Sequence, residues 1–204
     1  MPNKKYFLNK EKSETIELYW KGAYKEVTVA FNGQPVATLN REDVSAGKSI
    51  ELPNGKTFEI KLTGGLFAAL TTKIDGRHIP NSQGDPVYQL KQIFYLLIFL
   101  GALNVIIGLV FSVNDVKIDA FEGVGYLNVV IGLVYIGLGY GVSKGSMPAM
   151  ILIAVLMAAD LIFAAIYSTQ TGSSSGIIIK VLFVVFIMRG FRYIKDYKAL
   201  KSEF

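Results

Sequence analysis

Two ionisable residues lie inside long apolar stretches of the sequence, where a charge is costly unless it is paired or hydrated. Asp160 lies seven residues before Tyr167, and Lys180 lies four residues after Gly176. At a helical rise of about 1.5 Å per residue, both side chains are expected roughly 6 to 10 Å below the same membrane surface. They are predicted to form a salt bridge that fixes the register of two helices. The alternative is a coupled proton or cation site.

A sequence repeat occupies residues Leu103–Phe111 and Leu127–Tyr135. Each copy carries an asparagine and a glycine four residues apart and hence on one helix face: Asn104 with Gly108, and Asn128 with Gly132. Glycine lets helix backbones approach closely, and a buried asparagine can hydrogen-bond to a neighbouring helix, so the repeat predicts a packing seam. The alternative is that the two asparagines line a polar path for an ion or a small solute.

Residues suited to acid–base or nucleophilic catalysis are scarce. The chain has one histidine, His78, and no cysteine, which excludes a multi-histidine metal site and any thiolate chemistry. Asp160 is the only carboxylate within the predicted spans, so a paired-aspartate intramembrane protease is unsupported. The glycines of 137–141 lack the Gly-Lys-Ser/Thr ending of a phosphate-binding loop. We therefore expect no enzyme activity, catalytic residue, cofactor or bound metal.

The composition divides the chain into two parts. With 51% hydrophobic residues, 18% charged residues and a mean hydropathy of +0.40, the chain is too apolar for an ordinary soluble domain. The apolar residues concentrate in 86–192, where four stretches are each predicted to cross about 30 Å of hydrocarbon as a helix. These stretches cover about 93–111, 124–142, 148–167 and 176–191. They predict a four-helix transmembrane bundle.

Residues 13–85 show the periodicity of β-strands. Short runs of alternating or β-branched residues are separated by three tight-turn pairs: Asn32-Gly33, Asn54-Gly55 and Asp75-Gly76. This pattern predicts a small antiparallel β-sandwich or barrel, preceded by a flexible N-terminus over 1–12. The fold class is accordingly an α+β membrane protein, with a β-domain followed by a transmembrane bundle.

Two segments of the β-domain carry a resemblance to a known family. The chain from Gly47 to Leu62, and then from Thr72 to Pro80, is similar to the β-sandwich of Fas apoptotic inhibitory molecule, in which strand, turn-glycine and strand units recur. The resemblance implies a non-enzymatic interaction or folding module and carries over no catalytic residue. The whole chain, with Asp85-Pro86 before glycine-rich spans, also resembles uncharacterised small bacterial four-span membrane proteins.

The distribution of charge predicts the orientation in the membrane, because lysine and arginine in short loops are retained on the cytoplasmic side. Lys91 and Lys144 flank the predicted spans on one side, whereas the loop on the other side carries Asp115, Asp119 and Glu122. A basic tail over 193–204 adds to the first side. The candidate bases for contact with the membrane surface are Arg189, Arg192, Lys195, Lys198 and Lys201. Both termini are therefore predicted to be cytoplasmic, with the chain in the inner or plasma membrane.

The formal net charge of +5 does not indicate nucleic acid, because most of the excess lies beside the last span. The favoured hypothesis is a membrane-anchored interaction or assembly protein, a homo-oligomer whose cytoplasmic β-domain binds a protein partner. The alternative is a small oligomeric channel or transporter for ions or solutes that uses intramembrane polar residues. Its candidate residues are Asn104, Asn128, Asp160 and Lys180.

Overall fold

The computed structural model describes residues 2–9, 11–64, 68–113, 124–171 and 176–202. The chain forms two compact units, Met1–Tyr88 and Gln89–Phe204. The acidic loop with Asp115, Asp119 and Glu122, from which the orientation is partly predicted, lies outside the described residues. The serine-rich connection 172–175 lies outside them as well.

The first unit contains two four-stranded antiparallel sheets. The first sheet is a meander of β1 (Asn3–Phe7), β2 (Thr15–Lys21), β3 (Glu26–Phe31) and β4 (Gln34–Asn40). A short helix, α1 (Arg41–Ala46), leads into the second sheet, a meander of β5 (Lys48–Glu51), β6 (Thr57–Thr63), β7 (Ala69–Ile74) and β8 (Arg77–His78). The prediction of an N-terminal antiparallel β region is confirmed.

Strand β1 lies within 1–12, the segment for which the sequence predicts a flexible terminus. It is held in the first sheet by pairing with β2 along its length, from Asn3 opposite Tyr19 to Phe7 opposite Thr15. Tyr6 of this strand is buried in the core of the unit. The sequence does not reveal this strand because Lys4 and Lys5 interrupt its apolar pattern, and only one of its faces is covered.

The two sheets share one hydrophobic core, built from side chains that alternate inward along the strands. Ile16, Leu18, Val27 and Val29 come from the first sheet, and the second contributes residues such as Phe58. Two tight turns set the register of hairpins in these sheets. Asn32-Gly33 and Asp75-Gly76 both adopt positive φ angles, as a two-residue hairpin turn requires: 49° and 82° in the first turn, 48° and 76° in the second.

In the described part of the second unit there are four long helices: α2 (Pro86–Val113, which begins at the end of the first unit), α3 (Val124–Ser143), α4 (Met147–Thr171) and α5 (Ile177–Ser202). Within the described residues, three helical segments are long and apolar enough to cross a membrane: Pro86–Val113, Gly125–Ser143 and Met147–Ile166. The prediction of four such spans is wrong for α5, whose apolar stretch is interrupted by Lys180, Arg189 and Arg192.

Helix α5 nevertheless packs along α4 in the opposite direction. Near one end of the pair Lys180 meets Asp160, and further along Gly190 lies against the side chain of Met150. Beyond this point Ile194 is fully buried, and the ring of Tyr197 lies against Gly145, just before α4 begins. The segment predicted as a separate basic tail from 193 is thus a continuation of α5, which belongs to the helical unit at least as far as Tyr197.

Helices α2 and α3 are in backbone contact at two reciprocal pairs of glycines. A Cβ atom on Gly101 would lie 2.6 Å from the carbonyl oxygen of Gly132, and one on Gly132 would lie 2.5 Å from that of Gly101. Gly108 and Gly125 repeat this relationship, with corresponding distances of 2.5 Å and 2.8 Å. We call these four residues the glycine seam. No side chain fits between the helices at these points without movement of the backbone.

A local two-fold axis relates the two copies of the sequence repeat, as the reciprocal contacts of the glycine seam show. Residues 24 positions apart are equivalent, so that the contact of Gly101 with Gly132 maps onto that of Gly125 with Gly108. The axis passes midway between the two glycine pairs. At this level α2 carries Asn104 and α3 carries Val129. Since the helices are antiparallel, the repeat brings the two asparagines to nearly the same level of the unit.

Substitution of Gly132 by alanine is expected to destabilise the helical unit. The added methyl group meets the backbone oxygen of Gly101 at 2.5 Å, and overpacking of this kind costs about 1 to 3 kcal/mol. The matched control is Gly137→Ala on the same helix, because no atom lies within 4 Å of a Cβ at Gly137. Thermal loss of the helical circular dichroism signal in detergent measures the difference. Equal melting temperatures for the two variants would contradict the glycine seam.

Candidate functional site

Asp160 on α4 and Lys180 on α5 lie in direct contact. Lys180 Nζ donates a hydrogen bond to Asp160 Oδ1 at 2.8 Å, which joins α5 to α4. Neither side chain is fully enclosed by the protein: 51% of the Asp160 side chain and 36% of the Lys180 side chain are exposed. The charges of the pair cancel, yet both side chains stay partly uncovered by the protein.

Asn104 and Asn128 lie on the other two helices of the same unit, both half-buried. The Asn104 side-chain amide donates a hydrogen bond to the Leu100 carbonyl oxygen at 2.9 Å, one turn earlier in α2. This bond uses one of the two amide hydrogens and leaves the side-chain oxygen with acceptor capacity. Of the other residues singled out in the repeat, Gly108 and Gly132 belong to the glycine seam, whose close packing sets the positions of both asparagines.

These four polar residues line one cavity of about 540 Å³ between the helices. Each helix contributes one polar residue: Asn104 from α2, Asn128 from α3, Asp160 from α4 and Lys180 from α5. The rest of the lining is mainly apolar, and consists of Leu100, Leu103, Ile107, Ile131, Tyr135, Leu156, Met157, Ala159, Phe163 and Phe183. An apolar cavity with a few convergent polar groups is the usual form of a small-molecule site.

The cavity lies in one half of the helical unit, near the helix ends that lead into 114–123 and 172–175. At about 1.5 Å per residue, Asn128 and Lys180 lie roughly 5 to 6 Å from the starts of their helices. Asp160 lies roughly 9 Å before Ile166, the end of its apolar segment, and Asn104 roughly 14 Å before Val113. The site is therefore inside the apolar part of the helices yet closer to one end.

Three aromatic lining residues were not anticipated from the sequence. Phe163 follows Asp160 by three positions and Phe183 follows Lys180 by three, so each ring shares a helix face with the charged residue. Tyr135, which is buried, follows Asn128 by seven positions on α3. The sequence shows that each of these rings lies within two helical turns of a polar residue on the same helix. It does not show which face of each helix lines the cavity.

The basic residues at the end of α5 do not form a second site of this kind. These basic residues are spaced three positions apart, so each lies about 60° around the helix axis from the one before. They therefore wind around α5 and do not form one stripe. Arg192 lies 3.7 Å from Asp196, one turn further on, and Lys195, Lys198 and Lys201 are exposed. This set, with Arg189, gives the end of the helix a positive charge.

The first unit has a surface cavity of its own, of about 510 Å³. It is lined by Leu8, Lys56, Ile74, Asp75, Arg77, His78, Ile79 and Pro80. At its rim, Lys56 Nζ lies 2.8 Å from Glu14 Oε2, and this hydrogen bond lowers the pKa of Glu14 below its ordinary value. His78 is half-buried on β8, directly after Asp75-Gly76 and Arg77.

Among the described residues, no three His, Cys, Asp or Glu side chains come together in a way that would hold a metal ion. Searches against known proteins found no matching family model, no matching curated protein and no matching solved structure. The resemblances noted from the sequence therefore stay predictions.

The contact between Asp160 and Lys180 predicts strong coupling between mutations at the two positions. Asp160→Ala leaves an unpaired ammonium and Lys180→Ala an unpaired carboxylate, whereas the double variant leaves neither. The double variant should therefore be more stable than the sum of the single losses implies, by about 0.5 to 3 kcal/mol. Unfolding free energies in mixed detergent micelles provide the measurement.

The exposed pair Arg192 and Asp196 offers a comparison within α5. Exposed ion pairs contribute at most about 1 kcal/mol, so Asp196→Ala should have little effect on the unfolding free energy. Strictly additive losses at Asp160 and Lys180 would mean that the pair does not hold α4 and α5 together.

Proposed function

We propose that this chain is a multi-pass membrane protein whose helical unit binds a small polar or charged solute, as a channel or transporter does. The observation that carries the proposal is the convergence of four polar residues, one from each helix, on a cavity of about 540 Å³. Ionisable residues within membrane helices commonly mark substrate or ion pathways. Two such residues here share a cavity with two amides.

A salt bridge that only fixes helix register accounts for less of this arrangement. Such a bridge needs neither a cavity nor further polar groups, and its charges are best enclosed, because exposure to hydrocarbon is costly. Asp160 and Lys180 instead stay half-accessible beside open space, and Asn128 contributes an amide from a different helix pair. Helix pairing and solute binding are compatible roles for the same two residues.

We further propose that α5 enters the membrane as the partner of α4. Its composition does not support independent insertion, but pairing with Asp160 compensates the charge of Lys180. The antiparallel packing places Tyr197 beside Gly145, next to Lys144 at the end of α3. This topology, with the basic helix ends at one surface, supports both termini on the cytoplasmic side of the inner or plasma membrane.

The proposed topology predicts that single cysteines at Lys25, Lys144 and Lys198 all react from the same side of sealed membrane vesicles. The sequence has no cysteine, so Lys25→Cys, Lys144→Cys and Lys198→Cys each introduce a unique label site. Labelling with a membrane-impermeant maleimide measures the accessible side, and Ile153→Cys, fully buried in α4, serves as the unreactive control. Reaction of Lys198→Cys from the side opposite to Lys144→Cys would show that α5 does not cross.

If the cavity binds the solute, a bulky side chain that fills the cavity should abolish solute binding. Ala159 lines the cavity, whereas Ala165 on the same helix is exposed, so Ala159→Phe and Ala165→Phe add the same bulk inside and outside the site. Proteoliposomes with the wild-type chain are expected to pass Na⁺, K⁺, an amino acid or a monocarboxylate faster than protein-free liposomes, as measured by osmotic swelling. Ala165→Phe should keep this flux and Ala159→Phe should lose most of it.

Two results would count against solute binding. If no solute in the series passes the wild-type chain or binds to it, the helical unit is not a solute site. If both phenylalanine variants retain the full flux while eluting as folded, monodisperse protein, the solute passes elsewhere than through this cavity.

A second candidate function is binding of a protein partner by the first unit, in an assembly that is anchored and oligomerised through the helices. The observation in its favour is that this unit has its own core and its own surface cavity, with Lys56 and Arg77 in the lining. The two functions are not exclusive, since a solute-binding membrane unit and a partner-binding domain are compatible within one chain.

A further inference from the structure

We infer that the solute is a zwitterion, a small molecule with one ammonium and one carboxylate group together with an apolar part. The inference rests on the proposed function and names the class of ligand for the same cavity. It is carried by the opposite charges of Asp160 and Lys180, which lie 2.8 Å apart and face one cavity.

Charge balance distinguishes a zwitterion from other ligands. A cation that binds Asp160 displaces Lys180 and leaves its ammonium without a partner, and an anion that binds Lys180 leaves the Asp160 carboxylate alone. Either outcome is costly in an apolar setting. A zwitterion inserted into the pair gives each side chain a new partner of opposite sign, so that no charge in the cavity is left uncompensated.

The pair has the freedom to open. Lysine carries its charge on a flexible four-carbon stem with three donors, and 36% of the Lys180 side chain is exposed. Asp160 is more exposed still, at 51%, so close packing does not hold its carboxylate in one position. We infer that a ligand enters between the two groups as the flexible Lys180 side chain moves aside.

The remaining lining suits a molecule of this kind. Asn104 and Asn128 offer neutral donors and acceptors, which bind the polar end of a ligand without changing the charge balance. Tyr135, Phe163 and Phe183 provide an apolar surface for a side group. A volume of about 540 Å³ falls in the range of roughly 300 to 1,000 Å³ that is usual for small-molecule sites.

The test compares three molecules of nearly equal shape that differ in charge: phenylalanine, phenylalaninamide as its cation and 3-phenylpropanoate as its anion. Binding is measured at about pH 6, where the α-amino groups are protonated and the carboxylates are ionised. Equilibrium binding to the full chain in lipid nanodiscs is measured for each. Wild type is expected to bind phenylalanine at least about tenfold more tightly than either analogue, a difference of roughly 1.4 kcal/mol. Equal or tighter binding of an analogue would overturn the inference.

Variants of the pair separate ligand contact from a structural role. Asp160→Asn should transfer the preference to 3-phenylpropanoate, because Lys180 is left to bind it. Lys180→Met should transfer it to phenylalaninamide. The exchange of both residues, Asp160→Lys with Lys180→Asp, should restore phenylalanine binding, and Lys144→Gln at the α3–α4 connection is the control with unchanged binding. If the single variants weaken all three ligands equally, the pair acts only on helix packing and the inference is wrong.

The outcomes also separate this inference from the proposed function. If none of the three molecules binds while Na⁺, K⁺ or a monocarboxylate, but no amino acid, passes the wild-type chain and is blocked by Ala159→Phe, the cavity is a solute site but not for a zwitterion. If nothing binds and nothing passes, the proposed function fails and the inference fails with it.

Discussion

The arrangement of the helical unit depends on the pairing of Asp160 with Lys180. A single charge inside an apolar helix opposes its burial, and two opposite charges on neighbouring helices remove that opposition only when they meet. The contact at 2.8 Å joins α5, which is too charged to count as an apolar span, to α4, which is apolar enough. Because the pair also lines the cavity, the same interaction that orders the helices places two opposite charges beside open space.

The glycine seam supplies the second constraint. Backbone contact between α2 and α3 at two reciprocal glycine pairs leaves the helices little freedom to slide or rotate against each other. The local two-fold symmetry of this contact follows from the sequence repeat, and it places Asn104 and Asn128 at nearly the same level. A rigid α2–α3 pair thus presents two amides to the α4–α5 pair, which presents two opposite charges. The cavity lies between the α2–α3 pair, which contributes neutral polar groups, and the α4–α5 pair, which contributes charged groups.

The first unit is organised by other means. Its stability derives from a shared core between two small sheets, with turns whose positive φ angles set the strand register. The strands are short and several edges carry lysine, including Lys4 and Lys5 on β1 and Lys48 on β5. Charged edges of this kind oppose the addition of further strands. The β1 and β5 edges are therefore protected against the addition of further strands.

The sequence by itself determined the two-part architecture, the β-strand character of the first part with its tight turns, and the approximate ranges of the apolar helices, because these follow from local periodicity and turn chemistry. It also singled out Asn104, Asn128, Asp160 and Lys180, since polar residues in apolar helices are conspicuous. It did not reveal β1, which is ordered by pairing with β2 and by the burial of Tyr6. The failure of α5 to qualify as an apolar span follows from charges that the sequence does contain, at Lys180, Arg189 and Arg192. Only the tertiary structure decided that the four polar residues share one cavity and that Tyr135, Phe163 and Phe183 complete it. The physical reason is that helix periodicity defines faces within a helix, whereas packing between helices decides which faces meet.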